Sequence, residues 1–302
     1  MNIFDFAFMQ RALITAVLTG LMAPAIGTYI VQRRLSLLGD GLGHVAIAGV
    51  GLAVMTNTSP LPVAIVVCTA GAIAVELLRQ FGKATGDVGL AILFYGGLAA
   101  GVLMAGVAGQ GAAALSQYLF GSLTTVSRGD VLWVAILSAV VLVTALGLAP
   151  QLFAVSTDEE YAKVLGLKTR AYNLLIVVLA AITVTVSMRT VGLLLVSALM
   201  VVPAAAASNL VRGFTAGLLT AMGLGVLTAV GGTVGSFYFD TAPGALIVIL
   251  AIAVFALSWP VSALKARHIR EDDDPDTTAD PRALDETGKA DRVTFPLGGT
   301  PS

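Results

Sequence analysis

Asp40 and His44 are the residues of this sequence whose types and spacing could hold a metal ion. Four positions separate them, so on an α-helix both side chains lie on the same face. A carboxylate oxygen and an imidazole nitrogen are suitable ligands for Zn(II), Mn(II) or Fe(II). Two ligands are too few for a tight site, but a two-fold dimer with this face on its axis would supply two of each. Such a site could bind a divalent ion and still release it, as conduction requires.

The same pair also has a purely structural interpretation, in which Asp40 caps a helix N-terminus and His44 is a hydrogen-bonded core histidine. Spacing alone does not decide between the two, because Asp and His four positions apart are a weak signal. Small residues around the pair predict a slim helix that its neighbours can approach closely. They are Gly39, Gly41, Gly43, Ala46, Ala48, Gly49 and Gly51.

The composition of the chain places this pair in a membrane protein. Of the 302 residues, 57% are hydrophobic and only 12% are charged, whereas soluble domains carry about 25% charged residues. So few charges cannot cover a water-exposed surface, and the sequence therefore predicts an all-α polytopic membrane protein. The net charge of -1 provides no basic field for nucleic acid. The single cysteine, Cys68, excludes a disulfide framework and a thiolate metal cluster.

Nine apolar stretches are candidates for crossing the hydrocarbon layer, which takes about 20 residues of helix. The count could be eight or ten, because the second stretch is short and the sixth and seventh lie close together. The predicted spans are 8–31, 42–57, 60–79, 87–108, 130–150, 171–188, 192–209, 214–236 and 243–264. Residues 109–128 are too rich in Gly and Ser for a span, and we expect an interfacial or re-entrant segment on the outer side.

Basic residues favour cytoplasmic loops, so their distribution predicts the orientation of the chain. An N-terminus on the outside leaves only Arg11, Arg128 and Arg189 near the outer face. The basic residues on the cytoplasmic side are then Arg33, Arg34, Arg79, Lys83, Lys163, Lys168, Arg170, Arg212, Lys265, Arg267 and Arg270. This bias predicts nine helices with the C-terminus inside.

The last part of the chain differs in composition from the rest. Residues 265–302 are polar, acidic and Pro-containing, with hardly any large apolar side chains. Such a segment cannot bury enough apolar surface to offset the entropy lost on ordering. The sequence therefore predicts a transmembrane domain over 1–264 and a disordered acidic cytoplasmic tail over 265–302.

Three further acidic positions have local interpretations. Asp240 could attract cations to an outer vestibule, or it could begin the Pro-containing turn that follows it. Glu76 lies three residues before Arg79 and predicts a local ion pair near the inner end of the third span. Asp158 precedes two acidic residues and Gly166 follows, which is typical of the start and stop of a short helix in a cytoplasmic loop.

Motifs for catalysis are absent from the sequence. It contains no P-loop, no His-Glu-x-x-His and no Ser/His/Asp set. We therefore expect no enzymatic activity, and if ATP drives a process here, another subunit must hydrolyse it.

Five segments of the chain match a known family in order. They are residues 33–44, 118–123, 160–167, 191–204 and 240–245. Over these segments the sequence resembles the membrane subunit of the zinc, manganese and iron ABC importers, the ABC-3 permease family. The resemblance implies a homodimer in the lipid bilayer of a prokaryotic plasma (inner) membrane, two cytoplasmic ATPase subunits that bind ATP, and an extracellular metal-binding protein. It implies no permanently bound cofactor, and it matches Asp40 and His44 to residues associated with metal in the pathway.

The last two-thirds of the chain is also similar to the more distantly related vitamin B12 and siderophore permeases. That similarity implies that the turn after Pro203 couples the membrane domain to the ATPase. The residues concerned are Pro203, Ala204, Ser208, Asn209, Arg212 and Gly213, with Glu160, Ala162 and Gly166 close to the same surface.

We therefore expect the permease of an ATP-driven importer for a divalent first-row metal ion, with zinc as the first choice and manganese or iron as alternatives. Two other transport functions stay open: a permease for a metal chelate such as a siderophore, and an ion-coupled secondary metal transporter. A secondary transporter would require buried carboxylates for coupling and would usually contain internal repeats. The sequence offers only Asp40 as a candidate carboxylate and contains no clear repeat.

Overall fold

The computed structural model of this chain describes residues 6–80, 86–109, 118–121, 127–188 and 191–272. These residues form helices and no strand, which confirms the all-α prediction. The helices are α1 (Ala7–Gln32), α2 (Leu38–Met55), α3 (Pro60–Gln80), α4 (Gly86–Val107), α5 (Arg128–Gly147), α6 (Ala149–Thr157), α7 (Glu159–Val164), α8 (Thr169–Ser187), α9 (Leu193–Leu210), α10 (Phe214–Phe239) and α11 (Pro243–Asp272).

Seven of the helices in the described ranges are long and apolar enough to cross a membrane, namely α1, α2, α3, α5, α8, α10 and the first part of α11. Two shorter apolar segments, Ala91–Val107 in α4 and Leu195–Leu210 in α9, account for the remaining predicted spans. The chain is therefore a multi-pass membrane protein, and each predicted span corresponds to one long helix.

The span predicted over 130–150 and the loop after it need correction. Helix α5 already ends at Gly147, and α6 occupies the first part of the region that we expected to be a loop, before the short helix α7 that the sequence predicts. Leu148 separates α5 from α6, and Pro150, which has no backbone N–H, lies in the first turn of α6. Near this break the Tyr29 hydroxyl donates a hydrogen bond of 2.7 Å to the carbonyl of Ala145.

The last helix is longer than the last predicted span. Helix α11 continues to Asp272, past the predicted domain boundary at residue 264, because good helix formers such as Ala266 and Arg267 follow. Among the described residues, those up to Val261 belong to one compact unit and those from 262 to 272 to another. The predicted tail beyond 272 and most of the predicted re-entrant segment, including 110–117 and 122–126, lie outside the described residues.

Glycines allow the long helices to pack closely. Helix α1 packs on α9 and α10, and α2 packs on α4 and α3. A Cβ atom added at Gly225 of α10 would lie 2.3 Å from the carbonyl oxygen of Gly20 on α1. A side chain at Gly27 would likewise overlap the backbone of Met200 on α9. Without a hydrophobic driving force between helices in lipid, such close backbone packing is a main source of their association.

Candidate functional site

Asp40 lies in the first turn of α2 rather than at its N-cap. The N-cap residue is Leu37, and it makes no side-chain capping bond. The Asp40 side chain is half-buried. A carboxylate in this position interacts favourably with the positive end of the helix dipole, but the capping interpretation of Asp40 is wrong.

His44 lies one turn further along the same face of α2 and is only 6% exposed. Its Nδ1 atom is buried and has no hydrogen-bond partner among the described residues. A neutral imidazole has one donor and one acceptor nitrogen, so this histidine is not the fully hydrogen-bonded core residue of the structural interpretation. Leaving a buried polar atom unpaired costs about 1–3 kcal/mol, which a ligand at this nitrogen would offset.

The described residues of one chain contain no group of three or more His, Cys, Asp and Glu side chains that could hold a metal ion. Asp40 and His44 are thus a pair of possible ligands within one chain, as the sequence indicates.

Helix α4 forms a wall against His44 that we did not predict. A Cβ atom added at Gly97 would lie 2.8 Å from both the carbonyl carbon and the carbonyl oxygen of His44. One turn later, Gly101 contacts the backbone of Ile47 and Ala48 in the same way. The Phe94 ring lies on the imidazole, with ring centroids 3.9 Å apart. The four-residue spacing of the two glycines, typical of close helix pairs in membranes, was the signal available in the sequence.

Asp240 is exposed and ends α10 in a left-handed conformation with a φ of 50°. The Ser236 hydroxyl donates a hydrogen bond to the carbonyl of Thr241 across this turn. Helix α10 packs on α1 and α9, whereas Asp40 lies at the start of α2. Asp240 therefore takes the turn geometry of its structural interpretation, and its role in a vestibule stays a prediction.

The segment from Pro203 to Gly213 is only partly exposed. Pro203 and Ala204 are buried inside α9, whereas Ser208, Arg212 and Gly213 are exposed at its end. The Asn209 amide donates a hydrogen bond of 3.1 Å to the hydroxyl of Ser258 on α11. The surface available to a partner is therefore the end of α9 and the turn that follows.

A cavity of about 410 Å³ lies beside this segment. It is lined by the end of α9, the start of α10, the end of α1 and one residue of α6. Its lining residues are Thr28, Val31, Gln32, Phe153, Ala204, Ser208, Val211, Arg212, Gly213, Phe214 and Gly217. The Oε1 atom of Gln32 is buried without a hydrogen-bond partner in the described structure.

Helix α7 begins and ends as the sequence predicts. The Asp158 side chain accepts a hydrogen bond of 2.9 Å from the backbone N–H of Tyr161 and caps the helix. Gly166 follows with a φ of +78°, which only glycine adopts freely. Of the predicted coupling residues here, Glu160 and Gly166 are exposed, but Ala162 is fully buried and faces the fold.

The exposed apolar side chains of this region are ones that sequence reasoning missed. Tyr161, Val164 and Leu165 are 59%, 84% and 56% exposed. In a segment outside the spans, such a group is unusual unless a partner covers it.

A network of polar contacts fixes α7 to the start of α8. Glu159 accepts hydrogen bonds from the Asn173 amide at 3.2 Å and from the Thr169 hydroxyl at 3.5 Å. Lys163 forms an ion pair with the same carboxylate at 3.2 Å. Burial on its own raises the pKa of Glu159, but the bonds from Asn173 and Lys163, and the nearby Arg33, outweigh it and lower the pKa.

A second carboxylate, that of Glu76, lies near the C-terminal end of α3 and is almost fully buried. It pairs with Arg79 at 3.4 Å, which confirms the predicted local ion pair, and it accepts a bond of 3.1 Å from the Gln80 amide. Burial and the charge of Arg79 lower the pKa of Arg33 to about 10, against the opposing effect of Glu76 and Glu159. The charged groups at the C-terminal ends of α1 and α3 and at the start of α7 therefore interact electrostatically.

Comparison with known proteins finds one family and several relatives. The chain matches the ABC 3 transport family over residues 5–262. It is 29% identical to the high-affinity zinc uptake system membrane protein ZnuB of Haemophilus influenzae, over 84% of this chain and 97% of that protein. It is 31% identical to the manganese transport system membrane protein MntC of Halalkalibacterium halodurans, over 85% and 88% of the two chains.

A solved structure has the same fold. It is PsaBC from Streptococcus pneumoniae in complex with Fab, and the match has a TM-score of 0.77 and 29% sequence identity. The alignment covers 85% of this chain and 92% of the chain in that structure. The similarity therefore extends over nearly all of the described helices.

Proposed function

Because this chain belongs to the ABC 3 transport family, we propose that it is the permease of an importer that takes up a divalent first-row metal ion and binds it between Asp40 and His44 of two copies of the chain. The observation that supports this most is the buried His44 nitrogen without a partner, on the same helix face as a half-buried carboxylate. In a region with so few ionisable groups, an unpaired one is a functional candidate.

Two chains related by a two-fold axis would supply two carboxylates and two imidazoles. Neutral imidazole and carboxylate are ligands that zinc, manganese and iron all accept. The glycine-lined contact of α2 with α4 leaves the backbones close together, so small movements of α2 would change the separation of the ligands. The proposed cycle is alternating access, in which the two chains rock about their interface.

ATP hydrolysis in this proposal takes place on separate ATPase subunits at the cytoplasmic face, and an extracellular protein delivers the metal. The N-terminus is outside and the C-terminus inside, in a prokaryotic plasma membrane. The end of α9 and its following turn, with exposed Ser208, Arg212 and Gly213, contact the ATPase. The cavity beside this segment leaves it room to move toward α1, whose end leads directly into α2.

The two ligand types, carboxylate and imidazole, do not determine which metal ion binds. Selection among first-row ions depends on geometry, availability and delivery more than on ligand type. Relatives of similar identity are named for zinc and for manganese. We propose zinc first, with manganese and iron as the alternatives.

The test is metal uptake into proteoliposomes that contain the permease and its ATPase subunits, with each of the three ions. We expect Asp40→Asn and His44→Ala each to reduce uptake by more than about tenfold, because even groups that only orient a ligand change metal affinity 10- to 100-fold. His268→Ala, the other histidine of the chain, is the matched control and should transport normally.

Three results would overturn the proposal. Normal uptake by both variants would remove the metal site, and uptake without the ATPase subunits would indicate an ion-coupled secondary transporter. Uptake of a metal chelate in preference to the free ions would indicate a chelate permease.

A further inference from the structure

We propose that Phe94 is a positioning residue for metal transport, which holds the His44 imidazole in place and keeps water away from it. The inference rests on the proposed function, because it assigns Phe94 a role toward the His44 ligand. It adds a residue on a different helix and a basis for discrimination between ions.

The contact between the two rings is unusually close. Their centroids are 3.9 Å apart and their planes are inclined by 51°, whereas aromatic pairs usually have centroids about 4.5–7 Å apart. The packing of α4 enforces this contact. Gly97 lies against the His44 backbone, and Phe94, three residues earlier, is on the same face of α4.

The ring covers His44 without taking the place of a metal ion. A metal binds imidazole through a nitrogen lone pair in the plane of the ring, and Phe94 contacts the ring instead of accepting or donating a hydrogen bond. Histidines that bind metals usually gain their orientation from a hydrogen bond at the other ring nitrogen. With Nδ1 unpaired and facing the ion, no hydrogen bond is described at the other nitrogen of His44, so packing against Phe94 supplies the orientation.

The same ring makes the site selective against ions such as Mg²⁺ and Ca²⁺, for which an imidazole nitrogen does not replace the lost water. An apolar shell around a metal site limits solvent access, and His44 is only 6% exposed. An ion must therefore lose water to reach the imidazole. Mg²⁺ gives up water reluctantly and prefers oxygen ligands, whereas zinc and manganese regain binding energy from nitrogen.

The test compares Phe94→Ala and Phe94→Leu in the reconstituted complex with its ATPase subunits. We expect Phe94→Ala to raise the KM for zinc or manganese uptake by about tenfold, with kcat changed by less than twofold. Inhibition by excess Mg²⁺ or Ca²⁺ should appear at the same time. Phe94→Leu keeps the site dry and should keep the exclusion of Mg²⁺ with a smaller rise in KM. Ile92→Ala, at a position of α4 that is 64% exposed, is the control and should resemble the unchanged protein.

A binding measurement separates this inference from the proposed function. Metal affinity of the detergent-solubilised complex is determined by competition with a fluorescent chelator. In a His44→Ala background, adding Phe94→Ala should lower affinity by less than twofold, since Phe94 acts through the imidazole. Unchanged KM and unchanged Mg²⁺ exclusion in both Phe94 variants would overturn the role of Phe94 alone. Normal transport by His44→Ala would overturn the proposed function itself.

Discussion

Glu76 at the end of α3 and His44 in the middle of α2 are both almost fully buried, but their surroundings differ. Arg79 and Gln80 both contact the Glu76 carboxylate, and Glu159 on α7 likewise has three partners. His44 has an aromatic ring on one side and a nitrogen without a hydrogen bond in the described structure. Both carboxylates of the first region have partners, although Nη1 of the nearby Arg33 has none among the described residues, whereas the buried Nδ1 of His44 has none in that part of the chain.

This difference separates a structural role from a functional one. The contacts of Glu159 join α7 to α8, those of Glu76 lie within α3, and removing a partner of a buried charge is costly. A buried ligand atom without a partner adds nothing to stability until an ion binds. We therefore expect substitutions in the charged region to change folding, and substitutions around His44 to change metal handling.

The largest expected effect is at Glu76. Glu76→Ala removes the acceptor of Arg79 and leaves its charge beside the like charge of Arg33, so we expect a loss of up to about 3 kcal/mol in the free energy of unfolding. Metal affinity of the folded fraction should be unchanged. Denaturant unfolding of the purified protein in detergent measures the first quantity, and chelator competition measures the second.

Glu160→Ala is the control for this comparison, because the Glu160 side chain is 94% exposed. It should alter stability by less than about 0.5 kcal/mol. If Glu76→Ala lowered metal affinity without lowering stability, the contrast between the two regions would be wrong.

A smaller effect is expected at Gly97, which supports the His44 region by close packing. Gly97→Ala forces a Cβ atom to within 2.8 Å of His44 backbone atoms, and overpacking of this kind costs about 1–3 kcal/mol. Because the shift moves α2 itself, uptake should fall along with stability. Gly96→Ala is the matched control, since a Cβ atom there meets nothing within 4 Å. Equal behaviour of the two alanine variants would contradict the packing of α4 on α2.

Much of this fold follows from the sequence. The nine spans depend on apolar stretches of sufficient length, and α7 depends on Asp158 as a cap and Gly166 as a stop, so both are local signals. The pair Asp40 and His44 is likewise local, because four positions on a helix define one face. The break at Leu148 was missed because Pro150 is compatible with the first turn of a new helix as well as with a loop.

The parts that could not be predicted depend on contacts between distant helices. Phe94 has no motif of its own, and its place on His44 results from the packing of α4 against α2. Ala162 lies within a segment that matches the family, but the turn of α7 buries it and exposes Tyr161 and Val164 instead. Sequence matches locate a segment, whereas the fold decides which of its side chains a partner can reach.

The smallest expected effect on stability is at the cavity beside the end of α9. Gly217 lines the cavity and a Cβ atom there meets nothing within 4 Å, so Gly217→Leu adds an apolar side chain at the cavity wall. Stability should stay the same or rise by up to about 1 kcal/mol, because leucine favours helix over glycine.

Transport is the quantity that distinguishes this variant. If the segment after α9 moves toward α1 in each cycle, a filled cavity opposes the movement, and uptake by Gly217→Leu should fall severalfold while metal affinity stays unchanged. Gly223→Leu, at an exposed position of the same helix with equally open space, should transport normally. Equal uptake by the two leucine variants would mean that the cavity keeps its volume during transport. The hydrogen-bonded and ion-paired contacts of Glu76 and Glu159 would then belong to a rigid part of the fold, and the movement that reaches α2 would have to start elsewhere.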